Sequence, residues 1–338
     1  MTAQDAAAHA GQAASLHVDE MSLDQLDDDL VRLARSYGTT IPAQTYDRAT
    51  TLLRTAQTLL ERTKAPAQHD RLYYAAAQAT AMLSAISFDL GSLPAAISLA
   101  RSSAQYGKTI SNGPIQAYAY GLLAFMAYWE GRPSTAVRLA QEGQQFGGIG
   151  DTAHRRLLAI EARAHGHLRN TAEAERAIRE TWDQNSNTRD ELHDDVGGEF
   201  SFGHARTAMS NATTCLLLRD GPAAEATASE ALTLMDSRPE HERSVVVSGP
   251  ASIDLARGRL LRRDVDGAVD ALSPVWEVGP EWRGAGLLER ITAVRIELAD
   301  PQLGRAPASV ELAERIEEFS ALSPARRLGA TSPLAIGS

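Results

Sequence analysis

The chain has almost nothing with which to staple a fold covalently. One of its 338 residues is cysteine, Cys215, which excludes a disulfide framework and any Cys-rich zinc module. No apolar run reaches the roughly 18 residues that a membrane span needs. The opening MTAQDAAAHAGQAAS has neither a basic start nor an apolar stretch, so it does not read as a signal peptide. Lysine is nearly missing: apart from Lys64 and Lys108, the basic residues are 31 arginines. Positive charge is short overall, 33 basic against 43 acidic residues for a net −10, which argues against a broadly basic nucleic-acid surface. Aromatics are 5% of the chain. Phosphate-loop and dinucleotide glycine patterns are absent, because GGIG at Gly147–Gly150 lacks both the lysine and the strand context. Strand alternation is also missing; Val245-Val246-Val247 is the one β-branched run and is too short to build a sheet. These absences describe an acidic, soluble protein, expected in the cytoplasm, with no membrane partner and no cofactor.

What is present is helical periodicity, supported by 43% hydrophobic and 22% charged residues. In the first helical stretch, Ser22 is the expected N-cap, Asp24 to Asp29 favour the positive end of the helix dipole, and Leu23, Leu26, Leu30, Val31 and Leu33 make one apolar face. Gly38 then stops the helix. Similar segments are predicted at 43–63, 69–89, 94–107, 114–130, 133–146, 151–168, 171–184, 203–218, 222–236, 250–262, 265–277, 284–299 and 308–320. Five turns, DLGSLPAAI, WEGRPSTAV, HLRNTAEAE, LLRDGPAAE and LRRDVDGAV, join helix to helix. Aligned on the turn, the second helix carries Ala96, Ala136, Ala174, Ala224 and Ala268. Twelve residues earlier the first helix carries Ser84, Ala124, Ala162, Ala212 and Ala256. Antiparallel helices approach closely only where the crossing lacks bulk, so this pairing is the packing signature of tetratricopeptide repeats. Anchor spacings of 40, 38, 50 and 44 residues against a standard period of about 34 make the repeats degenerate. The expected fold is therefore all-α, a tetratricopeptide-like α-solenoid over residues 21–322. Residues 1–20 are expected to be a lead-in or helical tail and 323–338 a flexible tail.

Taken in order, MSLDQLDDDLVRLARSY, LYYAAAQATAMLSAISFDLGSLPAAISLARSSAQYG, AFMAYWEGRPSTAVRLAQEG, DDVGGEFSFGHARTAMSNATTCLLLRDGPAAEATASEAL and DLARGRLLRRDVDGAVDAL resemble the C-terminal sensor half of actinobacterial helix-turn-helix (XRE-type) regulators that carry tetratricopeptide-like repeats. The resemblance spans about residues 18–320 and rests on order and spacing. The wealth of Ala and Arg with few lysines also looks like a high-GC actinobacterial source. The resemblance implies a regulatory protein whose output passes to transcription or secondary metabolism; the residues themselves carry no specific enzymatic signal, so a non-enzymatic protein is expected. Members of that family usually begin with a DNA-binding domain; here about twenty residues precede the sensor-like part and hold no basic recognition helix. Direct DNA binding by this chain is therefore not expected.

In a solenoid of this kind the first helix of each pair forms the concave face. The alignment projects Gln78, Asp89, Tyr118, Phe125, Tyr128, Trp129, Arg156, Arg163, His167, Arg206, Met209, Thr213 and Arg257 onto it. From these the candidate ligand-binding set is Gln78, Tyr118, Phe125, Trp129, Arg156, Arg163, His167, Arg206, Met209 and Arg257. Guanidinium groups beside aromatics suit an anionic peptide, a peptide C-terminus or an acidic metabolite, so the expected partners are a peptide, a protein or a small-molecule signal, with homodimerisation through the terminal helices also open. Against this, the arginines could pair with local acids such as Glu161, Glu173 and Glu199, and the aromatic stripe could be core. Phe200 and Phe202 read as core, or as a plug of the groove. His193, Asp194 and Asp195 read as part of a solvated loop, Cys215 as a buried inert thiol, and neither they nor His165 and His167 have the spacing of a metal site. No catalytic residues are assigned. The alternative function is a stand-alone metabolite-binding protein or an enzyme using the same groove; an open gutter would favour a peptide or protein, a closed pocket a small molecule.

Overall fold

The computed structural model describes residues 17–184, 186–303 and 307–324. The expectations for residues 1–16 and 325–338 lie outside the described residues. Fourteen α-helices follow one another: α1 (Glu20–Ser36), α2 (Pro42–Arg62), α3 (Pro66–Asp89), α4 (Leu93–Thr109), α5 (Gly113–Trp129), α6 (Pro133–Gly143), α7 (Asp151–His167), α8 (Thr171–Trp182), α9 (His204–Leu217), α10 (Gly221–Asp236), α11 (Val245–Leu261), α12 (Val265–Trp276), α13 (Ala285–Glu297) and α14 (Pro307–Ala321). There is no strand among the described residues, and no helix among them is long and apolar enough to cross a membrane. The fold is all-α and tetratricopeptide-like, as the periodicity predicts. Two local expectations are corrected. Asp19, not Ser22, caps α1, its carboxylate accepting from the Ser22 backbone N–H at 3.2 Å. α11 starts at Val245 rather than near residue 250 and takes in the valine run, because the packing of Val247 overrides its β-propensity.

From α3 onward the helices alternate between two layers. α3, α5, α7, α9, α11 and α13 form the inner layer, each packed on the next, and α4, α6, α8, α10 and α12 back them from outside. The anchors behave as their spacing requires. Ser84, Ala124, Ala162, Ala212 and Ala256 are fully buried, as are Ala96, Ala136, Ala174, Ala224 and Ala268. Ser84 Oγ donates across the crossing to the Ala96 carbonyl at 2.7 Å, which satisfies the hydroxyl where no water reaches it. The five turns share one geometry. Gly91, Gly131, Arg169, Arg219 and Arg263, each five residues before the anchor alanine, take left-handed φ between 58° and 88°. The next N–H closes on a carbonyl five residues back at 2.7–3.0 Å (Ser92 to Ser87, Arg132 to Ala127, Asn170 to His165, Asp220 to Cys215, Asp264 to Arg259), the hydrogen bond that ends a helix in a Schellman turn.

The inner layer curves until it meets itself. α13 packs on α3, and a Cβ on Gly284 would lie 2.9 Å from the Asp89 carbonyl oxygen, so the approach requires glycine there. α1 and α2 cover the start of the array. Arg71 on α3 holds the acidic face of α1 through Asp24 and Asp27, both at 2.6 Å, and Glu20 at 3.2 Å, while Gln68 exchanges hydrogen bonds with the Val18 backbone at 2.9 and 3.0 Å. α14 caps the other end, burying Leu312, Ile316 and Phe319 against α12 and α13; each such side chain contributes about 1.5–3 kcal/mol.

The long connection between α8 and α9 is not a solvated loop. Glu191–Val196 forms one turn of π-helix and Gly198–Phe200 one turn of 3₁₀-helix. His193 is buried, with Nδ1 2.8 Å from Asp190 Oδ1. Arg35 on α1 donates to the carbonyls of Asp195 and Val196 at 2.7 and 3.1 Å, and Phe200 packs edge-on to Tyr118 on α5, ring centroids 4.8 Å apart. Residues 190–202 thus form a strap that ties the first helix to the middle of the array. The expectation of a solvated loop fails because local polarity says nothing about internal partners: Asp190, the most buried acid of the strap, is satisfied by the N–H groups of Gly150 and His193 at 2.8 Å.

Candidate functional site

Closure of the inner layer surrounds a cavity of about 180 Å³. Cavities of about 150 Å³ admit a molecule the size of benzene. Each inner helix supplies part of the wall: Ala85, Phe88 and Asp89 from α3, Leu122, Phe125 and Met126 from α5, Arg156, Ile160 and Arg163 from α7, Arg206, Met209 and Ser210 from α9, Pro250 from α11, and Leu287 and Arg290 from α13. Glu199 and Phe202 from the strap, Tyr37 and the start of α11 complete it. The concave face of the solenoid therefore curves around a pocket that remains partly open to solvent.

Five of the ten candidate residues line this cavity: Phe125, Arg156, Arg163, Arg206 and Met209. Five do not. Gln78 is buried between helices. Tyr118 is fully buried core and donates its hydroxyl to Glu199 Oε1 at 3.1 Å. Trp129 packs behind the wall, its ring 5.7 Å from Phe88 and 5.9 Å from Phe125. His167 lies against the Tyr128 ring at 5.6 Å, and Arg257 is held by Glu297 at 2.9 Å. Projection from one helix register places a side chain on the inner face but cannot tell its exposed sector from the sector pressed on the neighbouring helix.

The pairing of the arginines divides them. Glu161 and Glu173 turn outward to Arg176, at 3.2 and 2.9 Å. Glu199 takes Arg206, whose guanidinium also donates to the carbonyls of Glu199 and Ser201 at 3.0 and 3.3 Å. Burial works against the Arg206 charge, but the Glu199 charge and hydrogen bond outweigh it and raise its pKa. Arg156 and Arg163 have no carboxylate within ion-pair distance among the described residues. Arg156 donates to the Tyr118 carbonyl at 3.1 Å and stacks over its ring at 4.1 Å; burial lowers its pKa. Arg163 donates to Ser210 Oγ at 3.0 Å, and burial, then the charge of Arg290, lower it to about 10.

Three charged wall residues, Asp89, Glu199 and Arg290, lie outside the candidate set. Asp89, projected onto the concave face but not selected, accepts from the Tyr37 hydroxyl at 2.8 Å. Burial pushes its pKa up to about 7, with the Glu199 charge adding to the rise and the Tyr37 hydrogen bond opposing it. Glu199 appeared only as a pairing partner. Arg290 lies on α13, beyond the last of the five aligned turns. Cys215 is buried, which pushes its thiol up to about 11, and it does not reach the cavity.

The Asp89 shift gives a pH prediction. Its folded pKa, about 7, lies above the ordinary 3.8, so the folded state keeps a proton that the unfolded state releases, and stability falls as pH rises from about 4 to 7. Asp89→Asn removes that loss and keeps an acceptor for Tyr37. Its advantage over the wild type should be nil near pH 4 and reach on the order of 4 kcal/mol above pH 7. Denaturant titrations of both proteins across that range check this; parallel curves would show that Asp89 ionises as freely in the folded state as in the unfolded one.

No family model matches the chain, and no curated protein matches it either. Among solved structures it is similar to BtubC (BKLC) from P. vanneervenii, with 16% identity over 70% of this chain and 90% of that one and a TM-score of 0.47. It is also similar to the TPR2AB-domain:pHSP90-complex of yeast Sti1, with 14% identity over 88% of this chain and 99% of that one and a TM-score of 0.28. Both likenesses are remote, and the fold rests on the chain's own helix pairing.

Proposed function

We propose that this chain is a non-enzymatic regulatory protein whose central cavity binds a small-molecule signal. The observation that carries the reading is the return of α13 to α3, which wraps the concave face around a pocket of about 180 Å³. A peptide or protein ligand would need that face open along its length; a small molecule needs a concave cleft or cavity that covers most of its surface. In the solenoid each repeat contacts only its neighbours, so small rotations add along the array. A ligand that touches all six inner helices would set the curvature and thereby the surface offered to a partner. The sequence resemblance suggests that the output is transcriptional.

The test is native mass spectrometry of the full chain after incubation with a small-molecule extract of an actinobacterial culture. Ala85 lines the cavity, and Ala85→Leu narrows it without altering charge. Retention of a low-mass ligand by the wild type and not by Ala85→Leu is the expected result. A peptide held equally by both proteins would sink the small-molecule reading.

A second reading, an enzyme using the same cavity, is favoured by one observation. Asp89 faces the pocket with a pKa of about 7, the range suited to general acid–base chemistry. Turnover of the retained ligand by the wild type, lost in Asp89→Asn, would favour this reading over the first.

A further inference from the structure

The part of the cavity between α7 and α13 carries more positive charge than the protein neutralises. Arg163 and Arg290 both line it, 4% and 7% exposed. The Nε of Arg163 and the Nε of Arg290 are buried, and no acceptor among the described residues meets either. Arg290 donates to the Gly286 carbonyl at 3.2 Å and to Thr213 Oγ1 at 3.4 Å, and its approach to Asp254 is loose, 3.6 Å from Nε to Oδ1. Asp254 is fully buried and shared: its other oxygen accepts from Thr213 at 2.6 Å, and Arg257 stands 4.0 Å away with Glu297 as its closer partner. In this set, of which Arg257 and Glu297 are half-buried and the rest buried, three guanidiniums face two carboxylates, so one positive charge is unmatched. The mutual repulsion of Arg163 and Arg290 is part of what lowers Arg163 to about 10. Burial of an uncompensated cation is strongly unfavourable, and a bound anion would relieve it.

The surroundings specify the rest of the ligand. The Arg163 guanidinium lies 5.7 Å from the Phe125 ring and that of Arg290 5.8 Å from the Trp129 ring. Phe88 stands 5.1 Å from Phe125, and Met126 and Leu287 continue the apolar wall.

We propose that this corner is an oxyanion subsite for a monocarboxylate, its carboxylate held between Arg163 and Arg290 and its ring-sized apolar body lying on Phe88, Phe125, Met126 and Leu287. The inference rests on the small-molecule reading above and names its ligand class. A planar carboxylate matches the fork of guanidinium donors. One carboxylate neutralises the charge left unmatched between Arg163 and Arg290, and it can accept from both guanidiniums at once.

Phenylacetate and phenylacetamide share a shape and differ in charge, so calorimetric titration of the full chain with each isolates the oxyanion term. The wild type should bind phenylacetate at least about tenfold more tightly than the amide. Arg163→Met and, independently, Arg290→Met should lose that selectivity while keeping the helical circular-dichroism spectrum. Equal affinity for the two probes in the wild type, or selectivity kept in both variants, would overturn the subsite and leave the cavity reading intact. Neither probe binding, or phenylacetate binding unchanged in Ala85→Leu, would overturn both.

Discussion

Arg163→Met should make the ligand-free protein more stable by about 1–4 kcal/mol, an unusual result for truncating a residue that is 4% exposed. The guanidinium has lost its water, has no carboxylate within ion-pair distance among the described residues, and keeps an unpartnered Nε. Its compensation is one hydrogen bond to Ser210 Oγ at 3.0 Å and two rings, Phe125 and Tyr128, at 5.7 and 5.6 Å. Methionine is of similar length, carries no charge and packs adaptably against aromatic rings. It also leaves Arg290 without a like charge beside it. The shift should appear as a higher denaturant midpoint at unchanged slope. Loss of ligand binding in the same variant would place stability and function in opposition at one side chain, the pattern expected where a site is held ready for its ligand. A destabilisation of about 1 kcal/mol or more would instead mean that Arg163 is satisfied as it stands.

Arg206→Ala should do the reverse and cost about 3–5 kcal/mol. Both arginines line one cavity on adjacent inner helices, and the difference between them is the partner. Arg206 neutralises Glu199, which is 9% exposed, and donates to two carbonyls of the strap. Removing it leaves a buried carboxylate with the Tyr118 hydroxyl as its remaining hydrogen bond. It also frees a segment that holds α1 through Arg35. Glu199→Gln in the Arg206→Ala background should recover part of the loss, because the stranded charge is gone, and a double-mutant cycle measures that coupling. Additive single effects would mean that the pair contributes nothing beyond its separate contacts.

The same contrast explains what was legible in advance. Whether an arginine in the inner layer is paired depends on residues far along the chain. Glu199 lies close enough to Arg206 for the two to be read together, and their pairing was an open expectation. Arg163 and Arg290 are joined by no local pattern, and neither the turn alignment nor the charge count hints that they share a pocket. The strap shows the opposite failure. Its polar sequence reads as solvated, yet His193 and Asp190 satisfy each other inside, because polar side chains report their need for partners and not where those partners are.

The repeat follows from the amino-acid order: among the described residues, fourteen helices close to their predicted spans, the small residues at the five crossings, and the turns that present Gly91, Gly131, Arg169, Arg219 and Arg263 in one left-handed conformation. These features depend on contacts within one helix pair, and periodicity, caps and side-chain size are enough to set them. Only the tertiary structure decided that the array closes, since the rotation between neighbouring repeats is small and its sum over six inner helices is what brings α13 onto α3. That closure turns a groove into a pocket, selects which inner-face residues line it, and sets Arg163, which has no carboxylate partner, beside Arg290, which is only loosely paired with Asp254.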